Sequence, residues 1–233
     1  MPFTTSLRVS VRIGTIIEHE ECVRRLAAKA REDPATRSWV AYQITAGENG
    51  RYFYASQAES WAELAVREST PDMVRRLFGE KDGNALLEQM NQGVDALQTL
   101  VFQPRDDLSC AAPQALDQPA PLVLRTQIRV CPGGQEACEE LIHKVTEAVA
   151  KVDDERRFTT LQPLIGNAME YSIVQLVHDP AELDRERRVP DLLNEAFGTE
   201  GALILRSGRM AIERIQVDLA VHRPDLSNAP QAA

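Results

Sequence analysis

Aromatic residues are scarce, only 5% of 233 residues, so any place where they gather is informative. Lysine is scarcer still. Lys29, Lys81, Lys144 and Lys151 are the whole set, and the other basic residues are arginine, a bias of composition and not of chemistry. Basic residues of both kinds fall short of the acidic ones, giving a net charge of -9. That excludes a general nucleic-acid binder, which presents a basic face. No apolar run approaches the roughly 18 residues of a membrane span, so no membrane partner is expected. The opening Met1-Pro2-Phe3-Thr4-Thr5-Ser6 lacks the basic and apolar regions of a signal peptide, so the expected address is cytoplasmic. The four cysteines, Cys22, Cys110, Cys131 and Cys138, form no CxxC pair, and the four histidines show no ligand spacing. No metal site is expected. P-loop, GxGxxG, HExxH and GxSxG motifs are all missing.

What is present is a repeat. Leu7-Arg8-Val9-Ser10-Val11-Arg12-Ile13 aligns with Leu124-Arg125-Thr126-Gln127-Ile128-Arg129-Val130. Glu20-Glu21-Cys22 aligns with Glu136-Ala137-Cys138, and Ala62-Glu63-Leu64 with Ala181-Glu182-Leu183. Pro71-Asp72 and Phe78-Gly79 match Pro190-Asp191 and Phe197-Gly198, and Asp107-Leu108-Ser109 matches Asp225-Leu226-Ser227. The offsets, about 116 to 119 residues, lie far above a solenoid period. Two domains are therefore expected. The first spans 1–109, a Pro- and Ala-rich linker 110–121, the second 122–227, and a frayed tail 228–233.

Each repeat opens with strict apolar alternation, the mark of a half-buried strand. A helix with apolar residues at 3.6 spacing follows, over about 18–32 and 135–151. Two strands come next, over 38–44 and 51–57, with Asn49-Gly50 as a hairpin signal. In the second repeat they fall at 157–162 and 169–177, joined through 163–167. Helical stretches over 59–92 and 180–205 are expected to break near Pro71 and Gly83, and near Pro190 and Gly198. Final strands run over about 97–103 and 210–222. The order β-α-β-β-α-β is the split βαβ unit, so the fold class is α+β: two tandem ferredoxin-like units forming an intrachain pseudo-dimeric α/β barrel. The polar faces carry Arg8, Arg12, Arg125 and Arg129, whose charges need partners; strand alternation nominates Asp218 and Glu170.

Four segments carry a family likeness: Ser38-Trp39-Val40-Ala41-Tyr42-Gln43, Arg51-Tyr52-Phe53-Tyr54-Ala55-Ser56, Glu59-Ser60-Trp61-Ala62-Glu63-Leu64 and Ser69-Thr70-Pro71-Asp72-Met73. On these the chain resembles a tandem of antibiotic-biosynthesis-monooxygenase domains of the dimeric α/β-barrel superfamily. That resemblance implies a small-molecule monooxygenase acting on a polycyclic, polyketide-type aromatic. It implies no tightly bound cofactor, with a diffusible reduced flavin as the alternative. The helix before the Ser-Pro step, where the family often has a histidine, reads Ala65-Val66-Arg67-Glu68 and Asp184-Arg185-Glu186-Arg187-Arg188. Haem ligation by that histidine is therefore not expected.

Oxidation of a flat, electron-rich substrate needs an apolar pocket and polar groups that stabilise its anion. In the first repeat Trp39, Tyr54, Trp61 and Met73 are the expected substrate contacts, with Tyr42 and Arg67 as catalytic groups. Trp39 and Tyr42 lie on opposite strand faces, and the apolar neighbours Val40 and Ile44 favour Tyr42 as the inward one. In the second repeat Tyr171 is a contact and His178, at a strand end, a base. The expected partner is a small aromatic molecule; a homodimer stays open. Two other readings fit the same sequence: a ligand-binding or scaffold protein without catalysis, and a polyketide isomerase or cyclase.

Overall fold

A computed structural model describes residues 3–48, 50–111, 119–152 and 154–229. Most of the expected linker, the end of the tail and Asn49 of the expected hairpin lie outside the described residues. The same run of elements occurs twice. The first is β1 (Phe3–Val11), α1 (Ile16–Arg31), β2 (Val40–Ala46), β3 (Arg51–Ala58), α2 (Trp61–Val66), α3 (Thr70–Phe78), α4 (Glu80–Asn91) and β4 (Val94–Pro104). The second is β5 (Leu122–Val130), α5 (Gln135–Lys151), β6 (Thr159–Ile165), β7 (Glu170–Val177), α6 (Ala181–Arg185), α7 (Val189–Phe197), α8 (Thr199–Met210) and β8 (Ile212–His222). Short 3-10 turns, Asp106–Leu108 and Pro224–Leu226, follow β4 and β8. The fold is α+β; β3 pairs antiparallel with β1 and β2, and β1 with β4, while β7 pairs antiparallel with β5 and β6. No helix among the described residues is long and apolar enough to cross a membrane.

The chain divides into two compact units. Unit 1 holds residues 3–102 with 220–229, and unit 2 holds 103–111 with 120–219. The segment after each repeat's last strand therefore belongs to the unit built mainly by the other repeat. In unit 1 this segment is tied by Arg223 N–H to Ala41 O at 2.8 Å and Trp39 N–H to Asn228 O at 3.0 Å. In unit 2, Arg105 N–H donates to Thr160 O at 2.8 Å.

Alternation sets the strand faces. Val9 and Val11 are buried, and Val9 lies opposite Tyr52 on β3. Ile128 lies opposite Tyr171 in unit 2. Val9 therefore corresponds to Ile128, two residues further along than the pairing of Leu7 with Leu124 implies. A shift of two keeps every side chain on its face, so the apolar pattern could not detect it. The arginines on the polar faces find partners. Arg125 meets Asp218 at 2.7 Å with both side chains buried; Arg129 approaches Glu170 at 3.9 Å; Arg12 meets Asp95 at 3.2 Å. Arg8 lies over the Phe102 ring.

The helical stretch after β3 differs from expectation in one break. α3 ends at Gly79, whose φ of 82° suits glycine, and Gly83 lies inside α4. A Cβ at Gly83 would come within 2.9 Å of Arg75 Cα, so the missing side chain is what lets α4 lie close on α3. Pro163, expected in a connection, lies within β6. α1 packs Cys22, Leu26, Ala27 and Ala30 against Trp39, Met73, Val74 and Leu86 to form one part of the unit 1 core.

Candidate functional site

The unit 1 core is incomplete. A cavity of about 640 Å³ lies between its strands and helices. β1 supplies Thr5, Leu7 and Val9, and β3 supplies Tyr54 and Ser56. α1 supplies His19, Val23 and Leu26, while Met73, Leu87 and Met90 come from α3 and α4. The wall is mostly apolar, as small-molecule sites are. Polar groups collect at one end: Arg37, Arg67, Glu68, Ser69 and Thr70.

Local capping places that polar end. Ser60 accepts from Glu63 N–H at 3.1 Å and starts α2; Ser69 accepts from Asp72 N–H at 3.2 Å and starts α3, with Pro71 in its first turn. Arg67 is the residue where α2 stops and the backbone becomes extended. Its guanidinium donates to Ser56 Oγ at 3.0 Å and Thr5 Oγ1 at 3.3 Å, and pairs with Glu63 at 2.9 Å. Arg37 donates to Glu68 O at 2.7 Å. Burial holds the Arg37 pKa below its ordinary value, and the nearby Arg67 charge adds to that; Glu68 opposes it.

Strand register decides which aromatics reach the cavity. Tyr42 faces Phe53 across the β2–β3 pair, and Ala41 faces Tyr54. Trp39, two residues before Ala41, therefore shares the Tyr54 face. Tyr42 as the inward residue is corrected: Trp39 and Tyr54 line the cavity, and Tyr42 stacks on Phe53 with ring centroids 5.1 Å apart. Alternation was uninformative here because Val40, Ala41 and Tyr42 are all buried. Trp61 is about half exposed and lies against Phe3, 4.6 Å between centroids, away from the cavity wall. Arg67 and Met73 are on the wall.

Tyr171 is 1% exposed and its hydroxyl donates to Glu139 while accepting from Gln135 at 2.9 Å. Burial pushes its pKa up to about 12, with the hydrogen bond to Glu139 adding to that. His178 is exposed on a separate depression of unit 2, beside Gln175, Arg185 and Glu186. The structure does not bring these two residues to the unit 1 cavity.

Two wall groups have no hydrogen-bond partner among the described residues, Tyr54 Oη and His19 Nε2. Burial pushes the Tyr54 pKa far up, so the phenol stays protonated and is a donor. His19 sits 3.2 Å from Met90 O through Nδ1. A carbonyl can only accept, so Nδ1 carries the proton and Nε2 the lone pair. Burial lowers the His19 pKa, leaving the ring neutral at pH 7. From the sequence, His19 is noted only as lacking ligand spacing, and Arg37 is missed. Arg37 had a detectable signal, its place two residues before Trp39, matched by Arg156 two before Phe158. Among the described residues no group of three or more His, Cys, Asp or Glu is placed to hold a metal ion.

No family model matches the chain, and no curated protein matches it. Solved structures do. An anthrone oxidase-like protein is 12% identical with a TM-score of 0.62, over 100% of this chain and 95% of that one. A protein described as a candidate monooxygenase from Lactobacillus acidophilus NCFM is 11% identical with a TM-score of 0.55, over 100% and 97%. A chlorite dismutase from Candidatus Nitrospira defluvii is 9% identical with a TM-score of 0.51, over 96% and 92%. At these identities the likeness is one of fold alone.

These neighbours correct one expectation. Chlorite dismutases are haem proteins, so the lack of a cofactor, or its limitation to a diffusible flavin, does not follow from this fold. A haem iron held by histidine needs an open imidazole lone pair. His19 is the imidazole on the cavity wall, and neighbouring atoms cover its Nε2. The unit 1 cavity therefore does not fit a histidine-ligated haem.

Proposed function

We propose that the unit 1 cavity is the substrate chamber of a monooxygenase-type enzyme acting on a flat, polycyclic aromatic molecule of polyketide type, in a chain built as a tandem of antibiotic-biosynthesis-monooxygenase domains. The observation that carries the reading is the cavity itself: about 640 Å³, walled by apolar side chains and two aromatic rings, with polar groups at one end. The fold shared with an anthrone oxidase-like protein supports it.

In this reading Trp39 and Tyr54 flank the ring system, and Leu7, Val9 and Met73 exclude water. Oxidation converts a ring methylene to a carbonyl. One atom of dioxygen enters the carbonyl, and the other leaves as water with the two methylene hydrogens. The first proton passes to solvent at the polar end of the chamber and returns when water leaves, so charge rests meanwhile on a ring oxygen. Arg67 stabilises that charge across a low-dielectric space.

The test is oxygen uptake with anthrone as the probe, with quinone formation followed by absorbance. Uptake should fall at least tenfold in Trp39→Ala and in Arg67→Gln, the loss expected for one oriented contact. Uptake unchanged in both but abolished in His178→Ala would move the chemistry to unit 2. Anthrone that quenches tryptophan fluorescence without any oxygen uptake would support the ligand-binding reading instead.

A further inference from the structure

The two units differ at one position that bears on what the chamber accepts. Arg67 caps the end of α2 with φ −64° and ψ 126°; Glu186 caps the end of α6 with φ −69° and ψ 131°. Arg37 and Arg156 are likewise equivalent. Each donates to a backbone carbonyl one residue past that cap, Glu68 O for Arg37 and Arg187 O for Arg156. In unit 2 the two positions hold opposite charges, and Arg156 meets Glu186 at 3.5 Å with both side chains largely buried. In unit 1 both positions are arginine.

Like charges in a partly desolvated space oppose folding unless an anion offsets them. The carboxylates near the unit 1 pair lie off the cavity wall. Exposed Glu63 pairs with Arg67 at 2.9 Å, and Glu68 is bound to Arg76 at 2.9 Å. Arg67 also donates to Gln57 O at 2.5 Å, Arg37 donates to Thr70 Oγ1 at 3.4 Å, and on the cavity wall Arg67 meets the hydroxyls of Thr5 and Ser56. The equivalents in unit 2 are Leu124 and Gln175, and Gln175 donates to Glu186. Unit 2 thus places a largely buried carboxylate where unit 1 has a second guanidinium with only exposed Glu63 beside it, and the unit 1 position opens on the cavity.

We infer that Arg37 and Arg67 form a two-guanidinium clamp for a carboxylate on the aromatic ligand, so that the substrate class is an aromatic acid. Guanidinium matches a carboxylate in geometry as well as charge. The inference rests on the chamber proposed above, and its test separates the two.

The probes are 2-naphthoate and its neutral isostere 2-naphthamide. Binding is read by quenching of Trp39 fluorescence in a Trp61→Phe background. Naphthoate should bind at least about tenfold tighter than naphthamide, since a hydrogen bond to a charged group is worth that much. Arg67→Glu, which copies unit 2, should abolish the preference, and Arg37→Gln should reduce it. Equal binding of the two probes by the Trp61→Phe protein, or a preference that survives both variants, overturns the clamp and leaves the chamber standing. If neither probe binds, the chamber fails and the clamp with it. The ratio in the parent protein needs no folded variant at the clamp.

Discussion

Glu20 accepts two hydrogen bonds from the Arg223 guanidinium, at 2.6 and 2.7 Å, across 203 residues of sequence. Arg223 also holds Asp225, and Glu20 accepts the Tyr52 hydroxyl at 2.6 Å. Unit 2 contains the same device. Arg105 donates to Glu139 at 3.0 and 3.1 Å, holds Asp107 at 2.7 Å, and Glu139 accepts the Tyr171 hydroxyl. Each is a fork-to-fork pair, the strong form of a charged hydrogen bond.

Acid should release both latches. Hydrogen bonds from Arg223 and Arg105 hold Glu20 and Glu139 below the ordinary value of 4.5, and hold Asp225 and Asp107 below 3.8. The unfolded chain then binds more protons than the folded one in that range. The stabilisation is complete above the ordinary values and is lost as pH falls through the lowered ones. The melting temperatures of the unsubstituted protein and Arg223→Gln should differ at pH 7, and the gap should narrow as pH falls below the ordinary value of 4.5. A gap that persists at pH 3 would mean that Arg223 acts by packing and not by charge.

Tyr54→Phe should stabilise the free protein. Its buried hydroxyl has no partner, and an unmet buried polar group costs about 1 kcal/mol or more. The urea midpoint should rise in the variant. A fall in the midpoint would show that the hydroxyl is satisfied in solution.

The sequence carried the frame well and the site in part. α5 runs over Gln135–Lys151 as its periodicity predicts, because six buried or half-buried apolar residues recur at helical spacing after Gly134. Faces were legible wherever a strand is buried on one side. β2 is buried on both, so its alternation could not choose between Trp39 and Tyr42. Gly83 looked like a break because a glycine that permits close packing and one that ends a helix are the same letter. The Arg67–Glu186 exchange is visible in the sequence at the offset of 119 residues that already aligns Ala62 with Ala181 and Pro71 with Pro190 on either side of it.

Gly83→Ala should destabilise the protein although alanine favours helices by about 1 kcal/mol. The new Cβ would meet backbone, Arg75 Cα at 2.9 Å and Val74 O at 3.1 Å, and backbone yields poorly. Overpacking of this kind costs about 1–3 kcal/mol, so the clash wins. Met73 lies on the displaced helix, so probe binding in unit 1 should weaken too. A gain in the urea midpoint would show that α3 and α4 can slide apart freely.

Glu186→Arg should cost about 3 kcal/mol or more, the usual penalty for breaking a buried ion pair from one side. Arg156 would face a second guanidinium and keep only the more distant Asp154, at 4.0 Å. Urea unfolding measures the loss. A variant as stable as the parent would show that unit 2 can admit an anion from solution, as unit 1 is proposed to do.

The cavity lies in the unit built from the first repeat, yet its wall depends on a segment 187 residues further along the chain. Trp39 donates through Nε1 to Leu226 O at 2.8 Å, and Ala41 N–H donates to Ser227 Oγ at 2.9 Å. A nascent chain emerging from the ribosome therefore cannot finish this wall when the first repeat appears. β2 must wait, one edge unpaired, until residues 223–228 have been synthesised and have cleared the exit tunnel. Such an edge invites pairing with other chains. The interval is set by translation speed over more than a hundred codons, which makes that stretch of message the place where slow decoding would do the most harm.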